Sequence, residues 1–64
     1  MTYQLRLETV EGEILATRDV GTWRDHAVEL YKGAKQRLEA AGKKGVIITL
    51  VDTYNDSTVV EATI

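Results

Sequence analysis

The chain has 64 residues, no cysteine, no proline, a formal net charge of −2, and 28% charged against 44% hydrophobic residues. This is enough for one small domain over residues 1–64; it excludes a disulfide framework or a thiolate metal site and is too apolar for a disordered tail. No apolar run approaches the length of a membrane span and the first residues lead straight into a strand pattern, so neither a membrane segment nor a usual signal peptide is expected, and the expected compartment is cytoplasmic.

Tyr3 to Thr9 alternates with period two, placing Tyr3, Leu5 and Leu7 on one face and Gln4, Arg6 and Glu8 on the other;. Glu11-Gly12 then reads as a tight turn;. If these two residues are the whole loop, Leu7 lies opposite Ala16, Thr9 opposite Ile14, and Arg18 opposite Leu5 on the buried side;. Gly21 breaks this second strand.

Thr22 to Ala41 carries the one sustained helical period, with Trp23, Ala27, Leu30, Ala34, Leu38 and Ala41 on one stripe and Tyr31 at its edge;. Thr22 is placed to cap the amide of Asp25, and Gly42 is placed to end the helix;. Gly33 lies inside it, at a cost of about 1 kcal/mol relative to alanine. It projects to the flank shared by His26 and Arg37, where a missing side chain admits a partner; the plainer reading is a tolerated surface glycine.

Val46 to Val51 is β-branched and strand-forming, with Val46, Ile48 and Leu50 facing the helix and Ile47 and Val51 pointing away;. Tyr54 to Ser57 reads as a turn, and Thr58 to Ile64 as a closing strand with Val60, Ala62 and Ile64 inward. A three- or five-residue loop keeps Leu50 against Ala62 or Val60;. The expected core is Leu5, Leu7, Leu30, Leu38, Ile48, Leu50 and Val60.

The order is ββαββ and the class α+β: a four-stranded mixed sheet of two antiparallel hairpins, the terminal strands parallel and side by side at its centre, and one helix over about 22–41 packed across one face;. The opening MTYQLRL and the closing YNDSTVVEAT are similar in kind to the first strand and last hairpin of the protein G domain, so the chain resembles the β-grasp immunoglobulin-binding domains of proteins G and L. The resemblance covers only the chain ends and implies the topology. The antibody-contacting residues of that family have no counterpart on this helix.

Motifs for chemistry fail on inspection. His26 and Ser57 are the only histidine and serine, on a helix and a distant turn, so no nucleophile–base pair is expected;. Asp52 to Ser57 looks like a calcium loop but puts Tyr54 at a ligand position and Ser57 where glycine is required;. Gly42-Lys43-Lys44-Gly45 is similar to a nucleic-acid-clamping GxxG loop, yet joins a helix to a strand rather than two helices;. An enzyme is not expected, nor a cofactor, a metal or a small-molecule substrate.

What remains is a surface. The first reading is a protein-binding or self-associating module that uses strand 46–51 as an open edge, with Ile47, Val51 and Val59 as an apolar outer patch and His26, Gly33 and Arg37 as a second candidate surface;. The alternative is a nucleic-acid-binding accessory using Lys32, Lys35, Lys43 and Lys44, because residues 22–45 hold six basic against three acidic side chains;. A third reading is a designed scaffold without evolved function; the lack of proline and cysteine fits it, and Gly33, His26 and inward Arg18 do not.

Overall fold

In chain order the elements are β1 (Tyr3–Thr9), β2 (Ile14–Asp19), α1 (Arg24–Ala40), β3 (Val46–Asp52) and β4 (Ser57–Thr63). The computed structural model describes residues 2–64. One open sheet has the order β2-β1-β3-β4, every neighbouring pair is antiparallel, and α1 lies on one face.

The expected side-by-side placement of the terminal strands is therefore wrong: β3, not β4, lies beside β1, with Leu5 opposite Leu50 and Leu7 opposite Ile48. The physical reason is in β3 itself. A central strand is flanked on both edges, so a near-continuous apolar run suits it. Strand β3 supplies Val46, Ile47, Ile48, Leu50 and Val51, whereas β4 alternates with Ser57, Thr58, Glu61 and Thr63. The same directions along the chain accommodate either order, and burial selects this one.

The first hairpin keeps Leu7 opposite Ala16 and Leu5 opposite Arg18, but Ile14 meets Glu8 rather than Thr9, so Leu15 is an extra, bulged residue. The loop is longer than two residues. The Thr9 amide donates to the Glu13 carbonyl, the Gly12 amide donates to the Thr9 carbonyl at 3.0 Å, and Gly12 takes φ +94. This is the three-residue hairpin that needs a left-handed residue at its third position, which glycine supplies without steric cost. In the second hairpin Leu50 pairs with Val60 and Ile48 with Ala62, one of the two expected registers. A bulge then sets Val51 opposite Thr58 and leaves Val59 extra.

Helix α1 starts two residues later than the sequence suggests, with Trp23 as its N-cap and no side-chain cap, so the expected Thr22 cap does not form. Its end is as expected. Gly42 at φ +73 sends its amide to the Glu39 carbonyl, and the Lys43 amide reaches back to the Leu38 carbonyl at 3.1 Å. Those two bonds form a Schellman motif.

The buried cluster is Leu5, Val20, Ala27, Tyr31, Ile48 and Leu50, with Leu7, Leu30, Leu38 and Val60 packed against it half-buried. The helical stripe is rotated toward Tyr31, and Trp23 is 77% exposed, so the first residue of the expected stripe lies outside the core. Burial lifts the Tyr31 hydroxyl above the usual tyrosine range, and the negative charge of Glu61 on β4 adds to the shift;. No described helix is long and apolar enough to cross a membrane.

Candidate functional site

A helix about 10–12 Å wide covers roughly two strands spaced about 4.8 Å apart. Helix α1 touches β1 and β3 and leaves the sheet edges to themselves. The two edges fare differently. Val60, Ala62 and Ile64 on the β4 side pack against the core, whereas every residue of β2 is exposed. An open groove of about 320 Å³ results between α1 and β2. Leu5, Leu7, Ala16, Ala34, Leu38 and Ile48 line it with apolar surface, and the exposed side chains of Arg18 and Arg37 border it.

Val10 (62% exposed), Ile14 (55%) and Leu15 (53%) bring further apolar surface to the hairpin tip and the strand edge, and none of the three lines the groove. A second, smaller hollow of about 150 Å³ lies among Thr2, Tyr3, Thr22, Asp52 and Tyr54. It is more polar, and the exposed ring of Tyr54 lines it.

The site expected on strand 46–51 is not an edge. β3 is paired on both sides, so its backbone is not free to accept another strand. The Ile47, Val51 and Val59 patch is also dispersed. Ile47 is half-buried between Glu8 and Thr63, Val51 is buried between Gln4 and Thr58, and the bulged Val59 packs against the helix-side core. Around them the outer face is polar. Arg6 reaches Glu8 at 3.7 Å and donates to Gln4 at 3.2 Å, while Thr49, itself buried, sits within 3.5 Å of a Glu61 carboxylate oxygen.

The second expected surface is brought together in part. His26 is exposed near the start of α1, and Arg37 folds back over Gly33, its Nε donating to the Gly33 carbonyl at 3.3 Å. Arg37 also borders the groove, which His26 does not. A methyl group at Gly33 would meet only the tip of Arg37, at 3.8 Å, so no backbone approaches there. Gly33→Ala is accordingly expected to raise stability by up to about 1 kcal/mol; urea denaturation checks it, and a loss of stability would show that the glycine is required.

Of the basic side chains, Lys32 lies 3.9 Å from Glu29, Lys35 is half-buried, and Lys43 and Lys44 are exposed in the turn beyond α1. None of the four lines the groove. No group of three or more His, Asp or Glu side chains with metal-binding geometry occurs among the described residues. Compared with protein-family models, curated proteins and solved structures, the chain finds no match.

Sequence reasoning missed Ile14, Leu15 and Ala16 as a surface. The signals were present: three adjacent apolar residues break the alternation of the second strand, and the register places charged Arg18 on the side meant for the core.

Proposed function

We propose that this protein is a non-enzymatic binding module that receives a protein partner along the free side of β2 and the adjoining groove under α1. One observation carries the reading: β2 is exposed throughout while it flanks an apolar groove of about 320 Å³. Isolated exposed apolar residues are ordinary, but a concave apolar surface continuous with an open strand edge is the form in which peptide partners are taken up. The groove is open along one side, so it suits side chains inserted from a partner better than a small-molecule ligand, which is mostly buried in its site;. The docking surface lies on β2 rather than β3, because β3 is paired on both sides and the other edge strand, β4, packs against the core.

The test is a photo-crosslinker placed at Leu15, compared with one at Ser57 on the opposite edge, in a native lysate. Both positions are exposed, so neither label disturbs the core. A discrete adduct from position 15 and none from position 57 is the expected result. Equal labelling from both positions, or none from position 15, overturns the assignment.

A further inference from the structure

The groove has apolar walls, yet two arginines border it from opposite elements, Arg18 from β2 and Arg37 from α1. Neither makes an ion pair among the described residues, whose two salt bridges are Arg6–Glu8 and Lys32–Glu29.

Their placement constrains what β2 accepts. Arg18 lies opposite Leu5, on the side of the sheet that faces α1. An inward charge on an edge strand discourages indiscriminate pairing, and so does a bulge such as that at Leu15;. A second copy of β2 laid against the first brings another inward Arg18 and no built-in remedy. A strand carrying a carboxylate at that position removes the penalty through a charge-assisted hydrogen bond.

Backbone geometry sets the spacing. The Val20 amide donates to the Tyr3 carbonyl on β1. Counting back by two, Arg18 and Ala16 also turn their backbone toward β1, leaving Thr17 and Asp19 to offer theirs to a newcomer. Arg18 and Ala16 then face an added strand as non-hydrogen-bonded pairs, whose side chains approach most closely. Ala16 is small and borders the groove, so a long apolar side chain opposite it can pass over into the space above Leu5 and Leu7.

From this arrangement we infer that the partner segment is an extended acidic-apolar peptide of the pattern Glu-x-Leu, added antiparallel to β2. The glutamate stands opposite Arg18 within reach of the Arg37 side of the groove, and the leucine stands opposite Ala16. The inference rests on the docking reading above and supplies its chemistry. Antiparallel addition continues the pairing of the whole sheet.

The experiment titrates the isotope-labelled protein with three end-blocked octapeptides of threonine that bear one leucine and, two positions before it, glutamate, glutamine or lysine. Amide signals of residues 16–19 and 34–38 are expected to move with the glutamate peptide, which binds about threefold more tightly than the glutamine peptide. The lysine peptide is expected to bind least. Arg18→Glu combined with Arg37→Glu, at two exposed positions, is expected to invert that order while the circular dichroism spectrum stays that of the folded parent. Equal binding of all three peptides at the groove overturns the acidic specificity and leaves the docking reading standing. No movement of groove signals with any peptide overturns the inference, and the crosslinking from position 15 then decides separately whether β2 docks a partner.

Discussion

Leu50→Ala is expected to remove most of the stability of this fold. Leu50 is fully buried and meets Leu5 on one neighbouring strand and Val60 on the other, beneath the helix. Truncating such a leucine costs about 2–5 kcal/mol, from the lost transfer free energy and from a cavity that the surroundings fill only in part. A domain of this length holds only a few kcal/mol in reserve. Urea denaturation followed by circular dichroism should find the variant largely unfolded without denaturant. Ile48→Ala, equally buried, should behave alike. Leu15→Ala, at an exposed position, should stay within about 0.5 kcal/mol of the parent. An unchanged midpoint for Leu50→Ala would mean that the sheet is not packed against α1 as described.

The second large effect separates two residues that the sequence alone treats as equivalent. By their alternation Ile47 and Val51 both point away from the helix;. Val51 is 5% exposed, in the interior strand of the sheet, so Val51→Lys forces an ammonium group to leave its site or lose hydration, at a cost on the order of 3 kcal/mol;. Ile47 is only half-buried and lies across from Glu8. Lysine there keeps its head in water and gains an opposite charge across the strands, so Ile47→Lys should cost about 1 kcal/mol or less. Thermal unfolding of the two single variants reads the difference directly. If both melt together with the parent, Val51 is on an open face and β3 is not central.

The lesson in those two residues extends to the candidate site. An apolar run on both sides of a strand has two physical meanings: an edge that a partner covers, or a centre that the protein's own strands cover. Ile47 and Val51 belong to the second case, because β1 and β4 flank them. The open edge is instead β2, whose sequence is the more polar of the two and whose exposure arises from the narrowness of one helix over four strands. Arg18 shows the same dependence. Its inward register was visible from hairpin pairing, but that it borders a groove with Arg37 required both elements to be in place.

By itself the sequence determined the five elements and their order, the inward set Leu5, Leu7, Ile48, Leu50 and Val60, and the glycine stop of the helix. Period, turn chemistry and capping are local, acting over a few residues, so a single chain displays them. The tertiary structure alone decided which hairpin strand lies beside β1, where Leu15 and Val59 bulge, how α1 is rotated toward Tyr31, and which edge stays open. These choices compare whole arrangements by the apolar surface each one buries, and strand directions identical in both sheet orders leave no local mark to distinguish them.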